Sequence, residues 1–200
     1  ILGLTIDYAA PIAMVPPQKP IQIGVSRWVP AGNKAYDLNL QGFKDALTDA
    51  GYKEGPDVTY SLETANADKD KQREIAQSFI DRNMDMIYSQ TTPGTLILKE
   101  TIKDRPIVFS IVTYPVEAGL IGSLQQSGNN LVGTRNHVAV SRQLSVFLKM
   151  VPTVTSIGFV HRTLESNSTI QLGEMVAAAT PLGIRVVEIA GDDLLTLKNV

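Results

Sequence analysis

The residues Ser89-Gln90-Thr91-Thr92-Pro93-Gly94-Thr95 follow the apolar pair Met86-Ile87 and precede Leu96-Ile97-Leu98. They form a strand-to-helix turn that offers hydroxyls, one glycine and helix-starting amides. Such a turn can hold a carboxylate or another anion. The first N–H groups of a helix lack intrahelical partners and carry the positive end of its macrodipole. A second segment, Glu165-Ser166-Asn167-Ser168-Thr169, has the same form. For either turn alone, N-capping by Thr92 or Asn167 is the plain structural alternative. Two such turns at equivalent places in successive strand–helix units weigh toward binding.

Bond-breaking chemistry finds little support. Neither G-x-G-x-x-G nor G-x-x-x-x-G-K-[ST] follows the first strand, and G-x-S-x-G is absent. A phosphate at Ser89–Thr95 would meet one glycine and no lysine. The two histidines, His137 and His161, lie far apart without a second histidine at metal spacing. Each reads as a loop or strand-end residue. No pair of acids stands out as general acid and base. The Asn-Ser-Thr at Asn167 matches a glycosylation acceptor, a pattern frequent by chance. There is no cysteine, which excludes disulfides and thiolate metal sites. No catalytic residue, metal or cofactor is expected.

Composition sets the frame for these turns. The chain has 200 residues, 44% hydrophobic and 19% charged, with a formal net charge of −2. These are ordinary values for a globular protein, and no basic cluster is present to meet nucleic acid. The sequence opens at Ile1 rather than methionine, which suits a processed or trimmed form. Residues 1–20 are mildly apolar, then proline-rich. They lack the ~18 continuous apolar residues of a membrane helix and read as a tail or linker, or the remnant of an export signal.

The interior alternates strand and helix. Ile21–Ser26, Val58–Thr64, Asp85–Gln90, Arg105–Val112, Asn130–Asn136, Ser156–Arg162 and Ile184–Ala190 are short apolar or β-branched runs bounded by turn residues. Between them, apolar residues recur at helical spacing: Leu40, Phe43, Leu47; Ile75, Ala76, Phe79, Ile80; Leu144, Phe147, Leu148, Val151; and Leu172, Met175, Val176, Ala179. The closing residues 192–200 read as a helix just begun. This order predicts an α/β protein with mostly parallel, doubly wound sheets, and places any ligand at the carboxyl ends of the strands. The segments 26–36, 63–70, 89–95, 112–119, 133–141 and 161–169 therefore carry the candidate site. All are rich in small hydroxyl and amide residues, which suits polar binding without bond breaking.

Over residues 42–95 the chain shows a helix ending Ala-Gly-Tyr-Lys-Glu-Gly, a strand, an acidic helix start, Ile-Ala-Gln-Ser-Phe, and an aliphatic strand into a Thr-Pro turn. Residues 105–133 read Arg-Pro-Ile-Val-Phe-Ser-Ile-Val-Thr-Tyr-Pro-Val-Glu-Ala-Gly-Leu, ending Gly-Asn-Asn-Leu-Val-Gly, and residues 142–161 add a helix and strand. This co-linear set, spanning Ile21 to Val200, resembles the bacterial ABC-transporter substrate-binding proteins that include tryptophan- and other amino-acid-binding lipoproteins. The resemblance implies a two-lobed fold of the type I periplasmic-binding-protein kind, with a hinge and a ligand in the cleft. It implies ligand contacts at Trp28, at Thr91, Thr92 and Gly94, at Val112, Thr113 and Tyr114, at Asn136, and at Ser166, Asn167 and Ser168. Tyr114 departs from the family pattern, which carries an acid there. That departure bears on how a ligand's ammonium group would be held.

The family reading gives lobe 1 as residues 21–137 and lobe 2 as 138–200, the latter partial, with the crossing within Asn136–Ser141. It implies an exported, periplasmic or extracytoplasmic solute receptor that captures a small polar ligand, an amino acid or related carboxylate. Its partner would be the membrane permease of an ABC transporter. Trp28 and Tyr114 are expected as flat apolar walls, and Thr91, Thr92, Ser166 and Ser168 as hydrogen-bonding groups. Replacing Thr92 by valine is expected to weaken binding. A partial second lobe would leave apolar surface near Met175 and Ile184–Ile189, open to self-association. Two alternatives are a ligand-sensing extracytoplasmic domain of a membrane signalling protein and a flavodoxin-like α/β enzyme acting on a small acid.

Overall fold

The computed structural model describes residues 19–191. The helix expected at 192–200, and the tail expected at 1–20 up to residue 18, lie outside the described residues. Within them the order is β1 (Ile21–Arg27), α1 (Lys34–Asp49), β2 (Val58–Thr64), α2 (Lys69–Asp81), β3 (Met86–Gln90), α3 (Thr92–Thr101), β4 (Ile107–Val112), β5 (Leu131–Arg135), α4 (Val140–Met150), β6 (Ser156–His161), α5 (Ser166–Ala179), a 3₁₀ turn (Thr180–Leu182) and β7 (Arg185–Ala190). Five strands form one parallel sheet in the order β2-β1-β3-β4-β5, and β6 and β7 form a second, parallel pair. The strand Ile157–Val160 is thus in a different sheet from Ile107–Ile111, and residues 136–139 connect β5 to α4.

Strand alternation assigns the two faces of the larger sheet. Ile23 and Val25 of β1, with Val58 and Tyr88, point to the side where Leu40, Phe43 and Leu47 of α1 pack. The Phe43 and Tyr88 rings stack with centroids 4.0 Å apart. The opposite face carries Ile87, Ile107 and Phe109 beneath Ile75, Ala76 and Phe79 of α2 and Ile97 and Leu98 of α3. Gly24 makes that contact possible, since a Cβ there would stand 3.0 Å from both the Phe79 ring and Ile87 Cδ1. Fully burying side chains such as Phe79 and Ile87 stabilises by about 1.5–3 kcal/mol each. Asp68 caps α2, accepting from the Asp70 and Lys71 amides at 2.8 and 2.9 Å.

Leu144 of α4, Ala179 of α5 and Ile184 form the core against β6 and β7, with Leu148, Ile157, Met175 and Val186 around them. The apolar stripes expected on α4 and α5 are only partly covered: Phe147 is 40% exposed, Val151 41% and Val176 44%. Two described strands present too narrow a face to cover both whole stripes.

Candidate functional site

The strand ends of the larger sheet and the loop after β6 line a partly open cavity of about 390 Å³. It sits where the chain order reverses, since β1 leads outward to β2 on one side while β3 and β4 build the other. Trp28, Val29 and Pro30 follow β1, and Tyr36 comes from α1. Ala67 follows β2, and Thr91, Thr92 and Pro93 form the turn after β3. Ile111 and Thr113 stand at the end of β4, and Asn136 follows β5. Arg162, Glu165 and Asn167 close the cavity from the second sheet.

The backbone of this wall is held in uncommon conformations. Ala67, Thr91 and Ile111 have φ of 62°, 85° and 56°, the left-handed region that β-branched residues rarely enter. Residues held there cost of order 1–3 kcal/mol each and gather at ligand sites. Strand-end bonds hold them in place: the Ala67 amide donates to Trp28 O at 2.7 Å, and the Thr91 amide to Ser110 O at 3.0 Å. The register of β4 against β5 shifts between Phe109 and Val112, where Ile111 lies.

The helix starts differ from simple capping. α3 begins at Thr92 and α5 at Ser166, so Thr92 and Asn167 lie inside the first turns instead of capping them. The N-cap residues are Thr91 and Glu165, and neither makes a side-chain cap bond. Thr91 Oγ1 and Asn167 Oδ1 are buried without a hydrogen-bond partner, as is Ser166 Oγ. A buried polar atom left so costs about 1–3 kcal/mol. Two such atoms belong to opposite walls of one cavity.

Charge in the wall comes from the second sheet. The Arg27 side chain is 4% exposed and is spent on Asp37, with Nη2 to Oδ1 at 2.7 Å. Neither it nor Arg135 lines the cavity. The cation of the wall is Arg162, whose Nη1 stands 3.6 Å from Glu165 Oε1. Burial, and then the negative charge of Glu165 across the gap, raise the Tyr36 hydroxyl above its ordinary pKa.

Of the residues carried over from the resemblance, Trp28, Thr91, Thr92, Thr113, Asn136 and Asn167 come together in this wall. Thr113 Oγ1 donates to Asn136 Oδ1 at 3.2 Å. Gly94, Val112, Tyr114, Ser166 and Ser168 are not part of it. A Cβ at Gly94 would come within 3.4 Å of Trp28 Cβ, so this glycine lets α3 approach the end of β1. Val112 is fully buried in the core. Ser168 Oγ accepts from the Arg162 amide at 3.1 Å and shapes the loop. Tyr114 is the clearest correction. It is 1% exposed, and its hydroxyl donates to Glu174 Oε2 at 2.7 Å, while His137 meets its ring edge-on. The second aromatic of the cavity is Tyr36. Tyr36, Ile111, Arg162 and Glu165 were not singled out from sequence. All but Ile111 lie in the strand-end segments flagged there, but no spacing marked the individual side chains. His161 pairs with Glu188 at 2.7 Å. Among the described residues no group of three or more His, Asp or Glu could hold a metal ion.

Comparison with known proteins places this geometry. The model of the family described as ABC transporter substrate binding protein matches residues 22–199. A tyrosine-binding protein of Clostridioides difficile is 33% identical over 171 residues, covering 86% of this chain and 49% of that protein. A conserved domain protein from Vibrio cholerae superposes with a TM-score of 0.84 at 30% identity, over 90% of this chain and 60% of that one. The ABC domain in complex with L-Trp from Streptococcus pneumonia gives 0.81 at 26%, over 88% and 58%. The chain thus spans about half the length of the curated relative it matches. A leucine binding protein from Thermotoga maritima, at 15% identity and a TM-score of 0.63, shares the fold. The architecture is the two-lobed α/β fold of type I periplasmic binding proteins, with the second lobe present in part, and the chain belongs to the ABC transporter substrate binding protein family.

Proposed function

We propose that this chain is the ligand-capturing part of an extracytoplasmic solute receptor that takes up a small polar ligand, an amino acid or related carboxylate, and delivers it to an ABC-transporter permease. The observation that carries this is a pair of unpartnered buried polar atoms on opposite walls of one cavity, the Thr91 hydroxyl Oγ1, which can donate, and the Asn167 amide oxygen Oδ1, which accepts. Lobe 1 is residues 21–137 and lobe 2 begins at residue 138, with the hinge within Asn136–Ser141. The ligand carboxylate sits at the start of α3, where free amides and the helix dipole favour negative charge. An apolar side group lies against Trp28 and Tyr36. A cavity of about 390 Å³ accommodates an amino acid with a large side chain. A multiply charged phosphate is under-compensated, because among the described residues the wall carries a single cation, Arg162, with the acid Glu165 beside it.

Support also comes from relatives whose names record tyrosine and L-Trp as ligands. Isothermal titration of the chain against the standard amino acids and simple carboxylic acids is the test. Saturable binding to one of these supports the assignment. Binding only to a sugar, metal ion or nucleotide overturns it.

A further inference from the structure

The cavity wall is electrically lopsided. From the larger sheet come Trp28, Thr91, Thr92, Thr113 and Asn136, all neutral, together with the positive end of α3. The acid and the cation both come from the loop between β6 and α5. Within that pair the two partners differ: the Arg162 side chain is 60% exposed and that of Glu165 only 26%. Their closest approach of 3.6 Å is beyond hydrogen-bond reach, so the guanidinium is held loosely and leaves the carboxylate open to a better-placed cation. Glu165 faces Tyr36 of α1 across the cavity closely enough for its charge to act on the phenol. Tyr114, at the position where the family pattern carries an acid, is turned to Glu174 and away from the wall.

We infer that Glu165 is the specificity-determining residue that holds the ligand's ammonium group, so that the ligand's two charges attach to different lobes. This rests on the amino-acid reading above and deepens it. The carboxylate is fixed by the α3 turn on lobe 1. The ammonium reaches Glu165 on lobe 2, beside the Tyr36 hydroxyl. A ligand lacking the amine leaves Glu165 without its cation and gives the second lobe less to close upon. The site therefore selects α-amino acids over the matching desamino acids.

The test uses calorimetric titration of the 200-residue chain with three pairs: L-tryptophan and 3-indolepropionate, L-tyrosine and 3-(4-hydroxyphenyl)propionate, L-leucine and 4-methylpentanoate. The amino acid of the binding pair is expected to bind about 10- to 100-fold more tightly than its desamino partner, the usual worth of a hydrogen bond to a charged group. In Glu165→Gln, which keeps the side-chain size, that preference is expected to fall to within about threefold. Circular dichroism melts confirm that this variant is folded. If wild-type chain binds the desamino acid as tightly, the inference fails while the receptor reading stands. If Glu165→Gln keeps the preference, or Arg162→Gln loses it while Glu165→Gln does not, the inference is likewise overturned. If no member of any pair binds, the amino-acid reading fails and the inference falls with it.

Discussion

Replacing Thr91 by valine should strengthen the empty protein and weaken the loaded one. Threonine and valine are close to isosteric, and both are β-branched, so the strain of φ 85° is common to the two and cancels. What remains is one hydroxyl. The Thr91 residue is 7% exposed and its Oγ1 has no partner. Removing an unsatisfied buried hydroxyl releases about 1 kcal/mol, the low end of its desolvation cost. With ligand present the same change deletes a hydrogen bond to a charged carboxylate, worth about 1.5–3 kcal/mol. The variant should therefore unfold at higher urea concentration than wild type when empty, with an unchanged slope. Its dissociation constant should rise about 10-fold or more. Urea titration followed by circular dichroism reads the first sign and calorimetry the second. A variant less stable by more than about 1 kcal/mol, with unaltered affinity, would mean that the hydroxyl serves the fold and would refute the reasoning.

Gly133 lies opposite Phe109, and an added Cβ would stand 2.1 Å from Phe109 O; Gly133→Ala should cost about 1–3 kcal/mol or more by urea unfolding. Phe79→Ala, at a fully buried ring, should cost about 3–5 kcal/mol in the same assay. Trp28 is the single tryptophan and lines the cavity, so titration with non-fluorescent L-leucine should change its emission if that ligand binds. Alkali tests the tyrosines: Tyr36, Tyr60, Tyr88 and Tyr114 are all raised above the ordinary value of 10.0, by burial first in each case. Their folded forms hold the proton more tightly than the unfolded chain does. Their contribution is whole below about pH 10 and is lost as pH rises above it. Urea midpoints that held steady from pH 9 to 11 would contradict this.

The strand–helix alternation was legible because each element states its own period. Ile75, Ala76 and Phe79 recur as a helix face, and Val58–Thr64 appears as a strand with the bounds later observed. The position of the cavity was legible for a topological reason: strand ends in parallel sheets converge at the reversal of order. Its side chains were less so. The sequence offers both Thr91 and Thr92 as hydrogen-bonding groups and does not say which is left unpartnered; the structure shows that it is Thr91. That difference rests on a backbone angle that no residue type announces, since a threonine at φ 85° breaks its own preference. An aromatic near a strand end can face either way, so the sequence alone does not keep Tyr114 out of the cavity wall. Only packing of α5 against the loop after β4 shows that Glu174 claims its hydroxyl. Arg162 and Glu165 lie on a lobe whose approach to the first sheet depends on contacts far apart in sequence.

The place of β1 in the larger sheet carries a consequence for how the protein forms. It is the first described strand to leave the ribosome, yet it lies inside the sheet, paired at Ile21 with Val58 and at Ile23 with Met86. Neither partner is local, and both pairings are parallel, so no hairpin can shelter the strand in the meantime. The apolar residues Ile23 and Val25, fully buried at the end, must wait for α1, β2, α2 and β3 to arrive. Non-local pairing of this kind slows folding and prolongs the life of chains with an exposed, strand-forming edge. A newborn chain of this topology is open to a holding chaperone for as long as β3 is unmade, and its folding rate should answer to substitutions in β3 more than to those in α1.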